Sequence, residues 1–170
     1  MKFGGTSVGK PERMRQIAEL ITQGQEPVMV VLSALSGTTN ALVEISNRLA
    51  VADKQGATEK IRALENHYQN FVNDLLQDAA LNARAKEMIN EHFEFLRITQ
   101  RISLSDALNK DILAQGELMS TKLFALYLEQ EKIDHALIPA LDFMCLDMND
   151  EPDLTLIDQK IKVVLAQHST

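Results

Sequence analysis

Lys2-Phe3-Gly4-Gly5-Thr6-Ser7-Val8-Gly9 opens the chain and decides how the rest is read. Glycines at 4, 5 and 9 let the main chain approach an anion closely, and the amides of Gly4, Gly5, Thr6 and Ser7 are expected to point at phosphate oxygens. Pro11 suits a first helical position and Glu12 a first turn, so the positive end of a helix dipole follows the glycines directly. Gly4 and Gly9-Lys10 have the spacing of the Walker A pattern, but Pro11 defeats it. A P-loop needs a Ser or Thr hydroxyl there, and proline also lacks the amide hydrogen. The catalytic lysine is therefore expected at Lys2, at the end of a short extended segment. A lone glycine turn before a capped helix would fit residues 2–12 almost as well, so a second motif has to decide.

Outward from this turn the pattern alternates between element types. Met14, Ile17, Ala18 and Ile21 keep helical spacing until Gly24 and Pro27 end it. Val28 to Leu32 is a continuous apolar run that reads as a strand buried on both faces, the habit of a parallel sheet flanked by helices. If residues 1–3 and 28–32 are parallel neighbours, their C-terminal ends bring Lys2–Gly5 and Ser33–Asn40 to one edge, where open α/β sheets bind ligands. Leu42, Ile45 and Leu49 mark another helix. Ile61, Leu64, Tyr68, Phe71 and Leu75, then Ala85, Ile89, Phe93 and Leu96 after a polar break near Asn82, predict an antiparallel helical hairpin. That stripe reads as core packing, with a subunit contact as a further use. Leu104, Leu108 and Ile112 form another stripe, with a kink or helix start expected at Gly116 before Met119, Leu123 and Leu126. Residues 135–138 and 143–146 are strand candidates, and a last helix is expected over 154–167 with Leu154, Ile157, Ile161 and Val164 on one face.

Gly116-Glu117-Leu118-Met119-Ser120 is the second motif. Together with Lys2–Gly9, Val30-Val31-Leu32-Ser33-Ala34 and Gly37-Thr38-Thr39-Asn40, it makes the whole chain resemble an aspartokinase of the amino acid kinase family. The resemblance implies a three-layer αβα fold with a mostly parallel sheet, carbamate kinase-like and truncated, with a long helical hairpin inserted. Residues 1–170 would be the N-terminal portion of the kinase domain, with the helical segment at about 56–100. By the same resemblance, the nucleotide-binding half and the ACT domains of an aspartokinase are expected to lie outside these residues.

The implied reaction is phosphoryl transfer from ATP to the side-chain carboxylate of L-aspartate, giving 4-phospho-L-aspartate on the route to lysine, threonine and methionine. By resemblance, Lys2 is catalytic, and Lys2, Phe3, Gly4, Gly5 and Ser7 contact ATP phosphates. Ser33, Thr39, Asn40 and Glu117 contact substrate, with Glu117 holding the aspartate ammonium. Ser120 reads as structural. Capping roles compete for Ser33 and Thr39, and dipole placement competes for Glu117. Mg²⁺ is expected on the ATP phosphates and water, with no protein ligand. A carboxylate acceptor is already ionised near neutral pH, so the absence of a candidate catalytic histidine suits the chemistry. Half a site is expected to give no turnover by itself, because groups that act together lose far more than their separate effects when some are missing.

Composition narrows the other classes. The 24 acidic and 17 basic residues leave a formal charge of -7 without a Lys/Arg cluster, which argues against nucleic acid as a partner. No run reaches the ~18 apolar residues of a membrane span and no signal peptide pattern is present, so a cytoplasmic protein is expected. The single cysteine, Cys145, reads as a buried, inert thiol, and the four histidines lack metal-ligand spacing. Open strand edges predict a homo-oligomer. The competing reading is a non-catalytic phosphate-binding or self-assembly module.

Overall fold

The computed structural model describes residues 1–24 and 26–168. They form two compact units, Met1–Ile133 and Asp134–Thr170. The first unit runs β1 (Lys2–Phe3), α1 (Gly5–Val8), α2 (Pro11–Ile21), β2 (Val31–Leu32), α3 (Thr38–Ala50), α4 (Lys54–Leu75), α5 (Ala79–Thr99) and α6 (Asp106–Gln130). It is α/β and mostly helical, with a small parallel sheet.

β1 and β2 pair in parallel with Lys2 opposite Val31 and Phe3 opposite Leu32. The Val31 amide donates to the Met1 carbonyl at 2.9 Å and the Ser33 amide to the Phe3 carbonyl at 3.0 Å. The helix between the strands begins at Pro11, whose fixed φ suits the first helical position, and buries Met14, Ile17 and Ala18. One expectation needs correction here. Among the described residues only Val31 and Leu32 of the run 28–32 are in a strand, and they are not buried on both faces: Leu32 is buried, whereas Met29 and Val31 stay half exposed. Strand side chains alternate in direction, so this contrast marks a sheet covered on one face.

The helices supply most of the core. Ile61, Leu64, Tyr68, Phe71 and Leu75 of α4 and Ala85, Ile89, Phe93 and Leu96 of α5 are all buried. Each such Leu, Ile or Phe contributes ~1.5–3 kcal/mol by leaving water. The two helices run antiparallel. Thr58 Oγ1 donates to Gln100 Oε1 at 2.8 Å, Arg97 pairs with Glu65 at 2.9 Å, and Asn82 Nδ2 donates to the Leu76 carbonyl at 3.1 Å. The break between them lies at residues 76–78, earlier than the polar stretch around Asn82 suggested. Asp78 caps α5, its carboxylate accepting from the amides of Ala80 and Leu81 at 2.9 Å each, and Asn82 closes the end of α4 from inside α5.

Gly116 does not start a helix; it lies inside α6, which runs from Asp106 to Gln130. Its lack of a side chain is used for close approach. A Cβ there would lie 2.7 Å from Ala34 Cβ, 3.0 Å from Thr38 Cγ2 and 3.5 Å from Leu42 Cδ1. The helix therefore seats directly on the end of β2 and the start of α3.

The second unit holds a 3₁₀ turn at Ala140–Asp142 and α7 (Leu154–His168). Neither 135–138 nor 143–146 forms a strand; the only bridge described there is an antiparallel one between Leu146 and Pro152. Among the described residues no neighbouring strand is available to accept their backbone groups. The chain instead folds around Asp147, whose carboxylate accepts from the amides of Asn149 at 2.7 Å and Glu151 at 3.0 Å. Cys145 is half-buried rather than buried, because it lies in this loop. On α7, Ile157, Ile161 and Val164 are half-buried while Leu154 is exposed.

Candidate functional site

The C-terminal ends of both strands meet α1, α3 and α6 at one edge of the sheet. Lys2 is exposed as the first residue of β1, and Gly4 follows Phe3 in extended geometry as the residue that caps α1. A Cβ on Gly4 would meet nothing within 4 Å, so this glycine presents open backbone. Gly5 and Gly9 serve a different purpose. A Cβ on Gly5 would lie 3.0 Å from the Ala34 carbonyl, and one on Gly9 would lie 2.5 Å from Ser36 Cβ. These two glycines let α1 press against the loop after β2.

The expected cradle of amides is narrower than the sequence suggested. The Ser7 amide donates to the Gly4 carbonyl at 2.8 Å and the Val8 amide to the same oxygen at 3.3 Å, so neither faces a ligand. Gly5 and Thr6 lie in the first turn of α1, where amides have no intrahelical acceptor. Ser7 is half-buried, beside a shallow depression lined by Phe3, Arg13, Gln16, Ile17 and Leu20.

From β2 the chain delivers Ser33, half-buried, then the buried Ala34 and Leu35. Two side chains of α6 hold this turn. Ser120, fully buried, donates its hydroxyl to the Ser33 carbonyl at 2.8 Å. Glu117, one turn earlier and exposed, accepts from the Ala34 amide through Oε1 at 3.4 Å. Gly116 is what lets both reach. The structural role expected for Ser120 is thus a specific one: it ties α6 to the strand end.

Gly37, at φ +83°, turns the chain into α3 and is its cap residue, so Thr39 is not the cap. Thr38, Thr39 and Asn40 form the first turn. Thr39 and Asn40 are exposed, whereas Thr38 is fully buried with its Oγ1 3.1 Å from the Tyr68 hydroxyl. The phenol also meets the Leu35 backbone. Burial, reinforced by the negative charge of Glu117, pushes its pKa far above the ordinary tyrosine range, so it is a neutral hydroxyl at physiological pH.

The structure therefore gathers Lys2, Phe3, Gly4, Gly5, Ser33 and Glu117 along one sheet edge, with Thr39 and Asn40 on the helix that starts beside them. Tyr68 and Thr38 were not legible as neighbours of this edge. Tyr68 kept the apolar period of its helix and read as packing alone, and nothing in Thr38-Thr39 says which hydroxyl turns inward. Among the described residues no three His, Cys, Asp or Glu side chains form a metal-binding group, and no helix is long and apolar enough to cross a membrane.

The amino acid kinase family model matches residues 1–169. The chain is 31% identical over 132 residues to lysine-sensitive aspartokinase 3 of Escherichia coli, covering 78% of this chain and 28% of that protein. It is 37% identical over 142 residues to the chloroplastic aspartokinase 2 of Arabidopsis thaliana, covering 79% of this chain and 25% of that one. Among solved structures, E. coli aspartokinase III in complex with aspartate and ADP superposes with a TM-score of 0.80 at 25% identity, over 98% of this chain and 37% of that chain. The chain spans roughly a quarter of the length of the curated relatives it matches, and lies in the N-terminal part of their kinase domain. The chain belongs to the amino acid kinase family, and the relatives named above are aspartokinases.

Proposed function

We propose that these residues form the phosphate- and aspartate-facing edge of an aspartate kinase. The observation that carries the reading is that β1, with Lys2 and then the open backbone of Gly4, pairs in parallel with β2, whose end delivers Ser33 and the Ala34 amide that Glu117 holds. The E. coli aspartokinase III structures hold aspartate, in one case with ADP, which supports aspartate and an adenine nucleotide as ligands for this chain.

In this reading the side-chain carboxylate of L-aspartate attacks the γ-phosphorus of ATP. A new P–O bond forms, the bond to the β-phosphate oxygen breaks, and 4-phospho-L-aspartate and ADP leave. No general base is required, since the nucleophile is already ionised. Lys2 and the backbone amides at Gly4, Gly5 and Thr6 offset charge on the transferring group. Glu117 attracts the substrate ammonium, and Ser33, Thr39 and Asn40 offer hydrogen bonds. Mg²⁺ arrives on the phosphates and water. The setting is cytoplasmic amino-acid biosynthesis, and the 170 residues by themselves hold too few of the groups for turnover.

Self-assembly as the sole function fits less well, because the apolar stripes of α4 and α5 are spent within the chain. The test is an NMR titration of the 170-residue chain with L-aspartate and with ADP. Saturable aspartate shifts at Ser33–Asn40 that vanish in Glu117→Ala, and ADP shifts at Lys2–Gly5, are expected. Aspartate shifts that persist unchanged in Glu117→Ala would remove the substrate assignment.

A further inference from the structure

We propose that Tyr68, a residue of α4 outside every motif above, is a positioning residue that sets the first turn of α3 and so the side chains of Thr39 and Asn40. The proposal rests on the reading of the sheet edge as a ligand site, and names a group that acts on it from the helical layer.

Tyr68 is completely buried, and its ring is fixed from below: it meets Phe93 of α5 edge-on, with centroids 5.9 Å apart and planes at 63°. Its hydroxyl is thereby held at one place under the β2–α3 turn. There it shares a hydrogen bond with Thr38 Oγ1 at 3.1 Å and meets the backbone of Leu35, and the charge of Glu117 is close enough to act on it. The one phenol oxygen thus joins both sides of the turn that Gly37 makes at φ +83°.

The turn is closed by one backbone bond, the Thr38 amide donating to the Leu35 carbonyl at 3.0 Å, and glycine adds no side-chain restraint, so the anchors on either side set the rest of its geometry. Thr38 is anchored twice, by its hydroxyl to Tyr68 and by its methyl against the bare face of Gly116. With Thr38 held inward, successive helical residues rotate by about 100° each, which turns Thr39 and Asn40 outward, and both are exposed. A phenylalanine at 68 would keep the ring packing and remove only the hydroxyl, leaving Thr38 without its buried partner.

The experiment is amide hydrogen exchange by NMR on the 170-residue chain, together with L-aspartate and ADP titrations. Its variants are Tyr68→Phe, Thr38→Val, Thr38→Ser and the double variant Tyr68→Phe/Thr38→Val. Tyr68→Phe and Thr38→Val are expected to speed exchange of the amides at residues 38–42 by about tenfold, while those of Ile89–Leu96 in α5 stay as they are. Thr38→Ser keeps the hydroxyl and should keep the protection. The double variant should be no worse than either single one, since both remove the same bond. Aspartate affinity should weaken by about tenfold in Tyr68→Phe with ADP affinity unchanged, a split that general loosening of the core would not produce. If exchange at 38–42 is unaltered in Tyr68→Phe, or rises equally throughout α5, the positioning role is overturned whatever aspartate does. If the wild-type chain binds no aspartate while the local acceleration appears, the positioning of the turn stands and the substrate reading fails.

Discussion

Replacing Gly116 with alanine tests whether the seat of α6 on the strand end builds the site. The new Cβ would stand 2.7 Å from Ala34 Cβ, about 1 Å inside the 3.5–4.0 Å that suits two carbons. Ala34 has no rotamer with which to withdraw, and Thr38 Cγ2 at 3.0 Å is held by the bond to Tyr68. Overpacking of this kind costs ~1–3 kcal/mol, while alanine regains ~1 kcal/mol of helix propensity over glycine. The net expectation is a loss of ~0–2 kcal/mol, a fall of up to ~2 M in the urea midpoint followed by far-UV circular dichroism. A second effect is sharper. The Glu117–Ala34 hydrogen bond is already 3.4 Å long, so backing α6 away by even half the overlap breaks it. Aspartate binding should then fall by more than stability does. Adding Ala34→Gly removes the obstructing carbon and should recover both. A Gly116→Ala chain more stable than wild type by its full helix propensity, with aspartate binding intact, would refute the close-packing argument.

Acid should weaken the fold through His92. Its Nδ1 meets Gln115 Oε1 at 2.6 Å, an oxygen that can only accept, so Nδ1 carries the proton and Nε2 accepts from Lys122 Nζ at 3.0 Å. Burial, aided by the Lys122 charge and opposed by Gln115 and Glu91, lowers its pKa from the ordinary 6.5, so the unfolded chain binds the proton more readily than the folded one. Stability from this group is present above about pH 6.5 and is lost as pH falls through and below that value; melting curves of wild type and His92→Gln between pH 7.5 and 5 should converge at the acid end. Asp78→Ala removes the cap of α5 and should cost ~0.5–2 kcal/mol, lowering Tm by ~2–4 °C for each kcal/mol; an unchanged Tm would deny the cap its role. Met1, Met29 and Val31 expose apolar surface at the small sheet, so the chain should self-associate in light scattering, and Val31→Lys should reduce this; a strict monomer across concentrations would count against it. A coupled ADP-release assay on the 170 residues should show no aspartate-dependent turnover.

Much of the scaffold is local in origin and therefore legible in the residues. The stripes from Ile61 to Leu75 and from Ala85 to Leu96 mark buried helix faces because apolar spacing and helical period are the same property. Strand assignments fared worse. Residues 135–138 and 143–146 have the composition of strands, yet a strand exists only with a partner, and no short stretch of sequence contains its partner. The run from Val28 to Leu32 misled for a related reason: apolar composition shows that a segment can be buried, while the layers beside it decide on which face.

The motifs by themselves determined the family and the edge at which the chemistry is proposed, since Lys2–Gly5, Ser33–Asn40 and Gly116–Ser120 each carry a local backbone requirement. Only the tertiary structure decided what each glycine is for. Gly4 is left open, Gly5 and Gly9 admit the β2–α3 loop, and Gly116 admits Ala34 and Thr38. Only packing, too, could separate Thr38 from Thr39 or bring the Tyr68 hydroxyl from a helix thirty residues away, because a hydrogen bond between side chains depends on where two separate elements dock. A sequence states which groups are available; their distances follow from the fold.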